Sequence, residues 1–290
     1  MKKVNTGASV KARLLRIAKA SGKPYDGMLK LFAMERLAYR LSKSRFKDVL
    51  ILKGALFFLV MNMPDRRTTL DIDLLARYDN DPFKIAGIVK EICSAAVEND
   101  GIIYDTRSIT SGRITEAAEY PGVRVKLNAY IEKTRVPLQV DFGFGDAVYP
   151  GVKKIKYPVL LDLPAPKIKC YPPESVISEK FESMVRLGDL NSRMKDFYDI
   201  WLIFRNLKLK KNEVAKAVKK TFKKRETSLP QAGRLFSEGI YNKDSDRQQL
   251  WKGFLTRNNI KNAPGFLSDA AGEIEKQLTG AVKLIRKGKI

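Results

Sequence analysis

Two aspartates separated by a single residue are the first feature of this sequence that could support chemistry. Asp71 and Asp73 lie in the segment TTLDIDLLA (68–76), where apolar and polar residues alternate as in a strand with one buried face. The apolar residues of this segment are predicted to share that face: Leu70, Ile72 and Leu74. Both carboxylates then project from the other face, roughly 6–7 Å apart at the backbone, and can converge on one hard cation such as Mg²⁺. A solvated strand face explains the pair equally well when it is taken alone.

A third aspartate lies in a second alternating segment, PLQVDFGF (137–144). Its apolar residues predict a buried face, from which Asp141 points away. If this strand lies beside the first one, Asp141 joins Asp71 and Asp73 at the same metal ion. Three clustered carboxylates repel one another unless a cation is present, which makes a purely structural role unfavourable. The alternative is a lone aspartate on an edge strand.

A lysine within an apolar helical face is the next unusual feature. Pro173 is typical of a first helical turn, and helical spacing continues to about Leu187. Lys180 falls inside the apolar arc of this helix, which is formed by Val176, Ile177, Phe181, Met184 and Val185. Its ammonium must reach solvent or find a negative partner. One interpretation is that Lys180 binds phosphate, in which case its removal should leave the thermal stability of the protein unchanged or raise it. The alternative is that Lys180 merely extends to solvent at a domain boundary.

The segment RMKDFYDIW (193–201) predicts another helix, with a packing stripe of Met194, Phe197, Tyr198, Trp201 and Phe204. Asp196 and Asp199 share the adjacent polar face at i and i+3, where they could orient Lys180 or a bound nucleotide. An ordinary solvated helix face explains Asp199 almost equally well.

Composition restricts the chemistry and the partners. Histidine is absent, and the two cysteines, Cys93 and Cys170, are far apart, so neither a Ser-His nucleophile nor a zinc site is indicated. The 55 basic and 32 acidic residues leave a formal charge of +23. This charge favours a nucleic-acid partner, because the basic residues are spread along the chain instead of lying opposite one apolar helical face.

A lysine-rich segment, NLKLKKNEVAKAVKKTFKKR (206–225), could track an RNA backbone or form a solvated face. No apolar stretch is long enough for a transmembrane helix, and the first twenty residues carry charges throughout. The sequence therefore predicts a soluble cytoplasmic protein without a membrane partner.

The elements that must position these residues predict an α/β or α+β fold. Two N-terminal helices are expected at 9–20 and 26–41, the second capped by Asp26. The run VLILKGALFFLV (49–60) predicts a strand followed by a helix from about Ala55. A helix at 83–99 and three alternating strands follow, and helices dominate beyond the Pro-rich connection after Pro150. We expect an N-terminal helical cover (1–44), a mixed-sheet core (45–165) and a helical C-terminal domain (166–290).

Several segments, in this order, resemble AbiEii/AbiGii-type toxins and their MenT-type relatives, which are DNA polymerase β-like nucleotidyltransferases. They are KGALFFLV…DRRTTLDIDLL, LQVDFGFGD, YPPESVISEKFESM and RMKDFYDIW, and the resemblance covers about the first 205 residues. It implies a nucleotidyltransferase-like core and transfer of a nucleotide from an NTP, with Mg²⁺ as cofactor and release of pyrophosphate. It also implies an RNA acceptor, such as tRNA in some members, and a cognate antitoxin protein.

The resemblance also implies roles for individual residues. Asp71, Asp73 and Asp141 would hold the metal, and Lys180 and Asp196 would complete the catalytic set, with Lys195 and Arg193 as candidate phosphate contacts. One departure is Gly54-Ala55, where the superfamily usually has Gly-Ser. The residues that could take over phosphate contact are Lys53, Arg66, Thr68 and Thr69, near Gly54 in sequence. A protein-modifying transferase and a catalytically silent nucleotide- or RNA-binding module are the alternatives.

Overall fold

The computed structural model describes residues 6–114 and 122–290, which divide into two compact units. The first, called the sheet unit below, comprises Met1–Asn62, Thr69–Gly145 and Lys153–Cys170. The second, called the helical unit, comprises Met63–Thr68, Asp146–Val152 and Tyr171–Ile290. The division at residues 44 and 165 drawn from the sequence stays a prediction.

The sheet unit contains a mixed β-sheet and helices at its N-terminal end and between strands. The described helices are α1 (Thr6–Ser21), α2 (Tyr25–Lys43), α3 (Leu56–Val60) and α4 (Pro82–Cys93). The described strands are β1 (Leu50–Lys53), β2 (Ile72–Ala76), β3 (Ile102–Ile114), β4 (Gly122–Ile131), β5 (Thr134–Phe144), β6 (Lys153–Lys156) and β7 (Lys167–Cys170). The strand order is β3-β4-β5-β2-β1-β7-β6, in which the pairs β2–β5 and β1–β7 are parallel and the others antiparallel. The predicted mixed α/β class is confirmed.

One face of this sheet packs on α2 and α4 and forms the apolar core. Leu37 and Leu41 of α2, with Val89 and Ile92 of α4, approach the strands around a small cavity of about 20 Å³. The strand residues around it are all apolar: Leu52, Ile72, Leu74, Val140, Phe142 and Ile168. A cavity of this size without polar lining holds no ligand. None of the residues around this cavity is a candidate catalytic residue.

Most predicted elements of the sheet unit are present, with three corrections. The strand followed by a helix near Ala55 corresponds to β1 and α3, and the three alternating segments form β3, β4 and β5. Helix α4 ends at Cys93 instead of continuing to residue 99, and the residue that caps α2 is Pro24, with Asp26 in the first turn. The lysine-rich strands β6 and β7 were not predicted, because each has at most two apolar residues to show alternation.

The helical unit is built from α5 (Pro173–Leu187), α6 (Met194–Asn206), α7 (Lys211–Lys224), α8 (Glu238–Tyr241), α9 (Asp246–Arg257) and α10 (Leu267–Arg286). The helix predicted from Pro173 to Leu187 is confirmed, and the next helix begins at Met194. Aromatic side chains of α6 and α9 form part of the core, with the ring of Tyr198 between those of Trp201 and Phe254 at centroid distances of 5.7 Å each. None of the helices that the structure describes has the length and apolarity to cross a membrane.

Candidate active site

A row of charged residues crosses four adjacent strands of the sheet unit. Asp73 on β2 lies opposite Asp141 on the parallel strand β5 and opposite Lys53 on β1. Asp141 in turn lies opposite Arg124 on β4. Directly paired residues project to the same face of a sheet, so these four residues share one face, away from the apolar core. The predicted pairing of the two aspartate-bearing strands is confirmed, and we call these four residues the charged row.

Gly54 makes room for the carboxylate of Asp73. It follows β1 directly and has a φ of 65°, in the left-handed region that favours glycine. A Cβ at this position would lie 1.8 Å from Oδ2 of Asp73 and 2.7 Å from its Cβ. The Gly54 backbone therefore forms a cradle that only a glycine can provide. The predicted contact of Gly54 with nucleotide phosphate stays a prediction.

Arg124 holds the third carboxylate of the row. Its Nε donates to Oδ1 of Asp141 at 2.9 Å, and its Nη2 donates to Oδ2 at 2.7 Å. The amide of Gln139 donates to the same Oδ2 at 3.2 Å. This bidentate geometry is the strongest arrangement of an arginine and a carboxylate. Arg124 was not identified from the sequence, although its place in the alternating segment GVRVKLNAYI marks it as a residue of the polar face.

Asp71 lies immediately before β2, because the strand begins at Ile72 and not at residue 68 as predicted. Leu70, which was expected on the buried face, is 48% exposed. The hydroxyl of Thr69 donates to the Asp71 carbonyl oxygen at 3.2 Å, so it is engaged in a local turn. Burial raises the pKa of Asp71, the charge of Lys30 opposes this, and the carboxylates of Asp141 and Asp73 raise the pKa further. The three carboxylates thus interact electrostatically.

No group of three His, Cys, Asp or Glu side chains in the described residues has the arrangement of a ready metal site. Arg124 already engages both oxygens of Asp141. Asp71 and Asp73 form no ion pair with a described residue, and the Asp73 carboxylate packs against the Gly54 backbone. Hard carboxylate oxygens in this number suit Mg²⁺, which is usually bound by one or two carboxylates together with phosphate and water oxygens. The pair therefore fits the ion that the sequence predicts, while both oxygens of Asp141 accept hydrogen bonds from Arg124.

The helical unit contains a buried ion-pair cluster around Lys180. The Lys180 ammonium lies 2.6 Å from Oδ1 of Asp196 and 2.9 Å from Oδ2 of Asp199. Arg67 binds Asp199 through two hydrogen bonds of 3.0 and 2.9 Å, and Nε of Arg193 lies 3.0 Å from Oδ2 of Asp196. The side chains of Asp196 and Asp199 are each 1% exposed, so the interpretation of Asp199 as part of a solvated face is wrong. Asp196 and Asp199 are thus the negative partners that the position of Lys180 in an apolar arc predicts.

The ion pairs of the cluster favour the charged forms of Lys180 and Asp199. Burial lowers the pKa of Lys180, but Asp196 and Asp199 outweigh it, and the net pKa lies above its ordinary value. Burial raises the pKa of Asp199, but Lys180 and Arg67 bring the net pKa below its ordinary value. Removing Lys180 would leave two buried carboxylates with fewer cations. The expectation that its removal leaves stability unchanged or higher assumed a charge without negative partners, and that premise is wrong. Since breaking a buried ion pair destabilises a protein, the structure predicts the opposite effect.

A basic cavity of about 340 Å³ lies beside this cluster, within the helical unit. Its lining combines four cations with apolar and polar residues: Arg67, Ser192, Arg193, Met194, Lys195, Leu250, Phe254, Arg257 and Asn258. Although Lys195 reaches solvent, desolvation by the surrounding protein and the charges of Arg193 and Lys180 lower its pKa. Mutual repulsion of this kind is relieved by a bound anion. The predicted phosphate contacts Lys195 and Arg193 thus line a cavity with suitable charge, to which α9 adds the unpredicted Arg257.

The structure divides the sequence-predicted residues between the two units. The sheet unit contains Asp71, Asp73, Asp141, Lys53, Gly54 and Thr69. The helical unit contains Arg66, Thr68, Lys180, Arg193, Lys195 and Asp196. The Arg66 guanidinium donates to the Met63 carbonyl oxygen at 3.1 Å within its own segment. Contact of any of these residues with nucleotide stays a prediction.

Comparisons with known proteins extend these observations. The family model described as "Nucleotidyl transferase AbiEii toxin, Type IV TA system" matches residues 36–266. The crystal structure of JHP933 from Helicobacter pylori is similar with 13% identity and a TM-score of 0.49, over 91% of this chain and 94% of that one. A second H. pylori structure, described provisionally as a nucleotidyltransferase, has 13% identity and a TM-score of 0.47, over 88% and 93% of the two chains. No curated protein matches the chain.

Proposed function

Because the chain belongs to the AbiEii family of nucleotidyl transferase toxins, which act in type IV toxin-antitoxin systems, we propose that it transfers a nucleotide from an NTP to the 3′ hydroxyl of an RNA. Pyrophosphate is the second product of this reaction. The observation that carries the proposal is the register of the charged row, in which Asp73 lies directly opposite Asp141 and is held by the Gly54 cradle. Neighbouring carboxylates on the sheet face away from the apolar core are the ligands that metal-assisted phosphoryl chemistry uses.

Asp71 and Asp73 are the residues we assign to Mg²⁺. When bound there, Mg²⁺ would supply charge neutralisation for the NTP phosphates. The Gly54 cradle orients the Asp73 carboxylate toward this role, and Lys53, opposite Asp73 on β1, adds a cation on the same sheet face. Asp141 would complete the site and accept the proton of the attacking hydroxyl. Arg124, which donates to both oxygens of Asp141, orients this carboxylate for the role.

Lys180 is the residue we assign to the charge that develops on the phosphates. An ammonium has three N–H donors, and Asp196 and Asp199 accept two of them. The third donor remains for a phosphate oxygen, and the two carboxylates fix the direction in which it points. Asp196 and Asp199 are positioning residues in this proposal. Lys195 and Arg193, which line the basic cavity, are the accompanying phosphate contacts.

The net charge of +23 supports RNA as the acceptor over a protein hydroxyl. A tRNA is the acceptor that we expect. Family membership in a toxin-antitoxin system supports a cognate antitoxin as the protein partner.

One observation favours a second function, that of a silent nucleotide- or RNA-binding module. Ala55 has no hydroxyl, and the hydroxyl of Thr69 is engaged by the Asp71 carbonyl oxygen, so neither residue supplies the usual serine contact. Incubation of the protein with Mg²⁺, total RNA and each labelled NTP in turn separates the candidates. Label on RNA supports the proposal, label on protein supports a protein-modifying transferase, and nucleotide binding without any transfer supports the silent module.

A further inference from the structure

The two strands β6 and β7 place like charges directly opposite one another. In their antiparallel register Lys154 faces Lys169, and Lys156 faces Lys167. Ile155 and Ile168, the pair between them, point to the other side, where Ile168 is buried in the core. All four lysines therefore project from the same sheet face. We call them the lysine ladder.

This arrangement is unfavourable without an anion, because like charges directly opposite each other destabilise a strand pair. Among the described residues, Asp48 forms an ion pair with the ladder. Its carboxylate lies 2.9 Å from the Lys169 ammonium, and its side chain is 56% exposed. The hydrogen bond from Lys169 is the main reason that the pKa of Asp48 is lowered, and the charge of Lys154 adds to it. One carboxylate leaves most of the ladder's charge unbalanced, and Lys154, Lys156 and Lys167 are exposed to solvent.

The ladder lies on the same face of the sheet as the charged row. Leu52 of β1 and Cys170 of β7 are paired in register and both are buried in the core. The residues next to them in sequence, Lys53 and Lys169, consequently project from the opposite face, which also carries Asp73. From strand spacing and residue rise, the ladder extends from about 12 to about 20 Å from Asp73 at the backbone. This is the reach of a few nucleotides along an RNA strand.

We propose that the lysine ladder binds the phosphate backbone of the RNA whose 3′ end is presented to Asp73. The identity of this RNA as the acceptor rests on the proposed function, whereas polyanion binding follows from the ladder alone. An RNA strand is favoured over an anionic membrane because the exposed face of the ladder contains only lysines, with no apolar residue to enter a lipid layer.

The test uses two full-length variants that each remove three positive charges. The ladder variant is Lys154→Gln/Lys156→Gln/Lys167→Gln, which retains Lys169 and its partner Asp48. The control variant is Lys252→Gln/Lys276→Gln/Lys283→Gln, at exposed positions of α9 and α10. Thermal unfolding checks that both fold. The ladder variant should be at least as stable as the parent, because its cross-strand repulsion is removed.

The measurement is the affinity for a labelled single-stranded RNA, without NTP, as a function of salt concentration. Each phosphate contact to a single strand contributes about 0.7 to the slope of the logarithm of affinity against the logarithm of salt concentration. The magnitude of this slope should therefore fall by about 2 in the ladder variant, which should bind RNA at least about tenfold more weakly at roughly 0.1 M salt. The control variant should stay within about twofold of the parent. Equal weakening in both variants would show a nonspecific effect of net charge and overturn the proposal.

A parallel titration with vesicles containing an anionic phospholipid separates the two polyanions. Loss of vesicle binding together with unchanged RNA binding in the ladder variant would also overturn the proposal. Because neither titration depends on catalysis, both still test the lysine ladder if the protein proves not to transfer nucleotides. Reduced RNA binding in a protein that transfers no nucleotide would support the ladder and reject the transferase. Nucleotide transfer to RNA by the parent, together with unchanged RNA binding in the ladder variant, would support the transferase and reject the ladder.

Discussion

Replacing Gly54 by alanine tests the contact that holds Asp73 in place. The new Cβ would lie 1.8 Å from Oδ2 and 2.5 Å from Cγ of Asp73, so the carboxylate or the backbone must move. The φ of 65° adds a left-handed conformation that costs an L-residue about 1–2 kcal/mol, and overpacking typically costs about 1–3 kcal/mol. We expect Gly54→Ala to lower the free energy of unfolding by about 2–5 kcal/mol.

Two other glycines separate strain from collision. Gly22 has a φ of 63° but nothing within 4 Å of the position that a methyl group would take, so Gly22→Ala should show only the conformational cost of about 1–2 kcal/mol. Gly27 lies inside α2 with open space around it, and Gly27→Ala should be neutral or stabilising by up to about 1 kcal/mol. The difference between Gly54→Ala and Gly22→Ala measures the collision with Asp73.

Urea unfolding of the parent and the three variants, followed by circular dichroism, provides these free energies. If Gly54→Ala is no less stable than Gly22→Ala, the carboxylate of Asp73 does not occupy the cradle and the reasoning is refuted. Displacement of Asp73 by about 1 Å should also reduce nucleotide transfer about 100-fold. Gly22→Ala and Gly27→Ala should retain the parent's transfer rate.

Lys180→Met should lower the free energy of unfolding by about 3 kcal/mol, because Asp196 and Asp199 lose a shared partner. The control Lys252→Met, at an exposed site of α9, should change it little. Equal stability of the two variants in urea would contradict the role of the buried cluster. Burial raises the pKa of Glu35 to about 7 from its ordinary value of 4.5. Between these two pH values the folded state keeps a proton on Glu35 that the unfolded state has lost. Stability from this group is complete below pH 4.5 and falls as the pH rises toward 7, by about 3 kcal/mol in total. Glu35→Gln should flatten the stability profile between these two values, and an unchanged slope would refute the assignment.

The strongly periodic parts of the fold could be predicted from the sequence. The alternation in residues 137–144 identifies β5 and the outward direction of Asp141, and Pro173 marks the start of α5. Strands β6 and β7 could not be recognised, because their lysines serve no buried face and their pairing is visible only in the folded chain. Asp71 was placed inside a strand because TTLDIDLLA alternates throughout, but pairing with β1 and β5 begins only at Ile72.

Partners that are distant in sequence explain the rest of what was missed. The helical pattern shows that Lys180 lies in an apolar arc and that Asp196 and Asp199 share a face, but not that these residues meet across α5 and α6. The role of Arg124 depends on the register of β4 and β5. Ala55 could be noticed as a departure from the usual Gly-Ser, whereas the contact of Gly54 with Asp73 requires the pairing of β1 with β2.

The most direct test of the account is nucleotide transfer by Asp73→Asn, a variant that keeps the shape of the side chain and removes its charge. Asp79→Asn, at an exposed aspartate paired with Lys84, is the matched control. Both proteins are checked for folding by thermal unfolding and incubated with Mg²⁺, labelled NTP and total RNA. We predict that Asp73→Asn folds and transfers no label above background, while Asp79→Asn labels RNA as the parent does. RNA labelling by a folded Asp73→Asn protein at the parent's rate would contradict the assignment of the charged row as the active site.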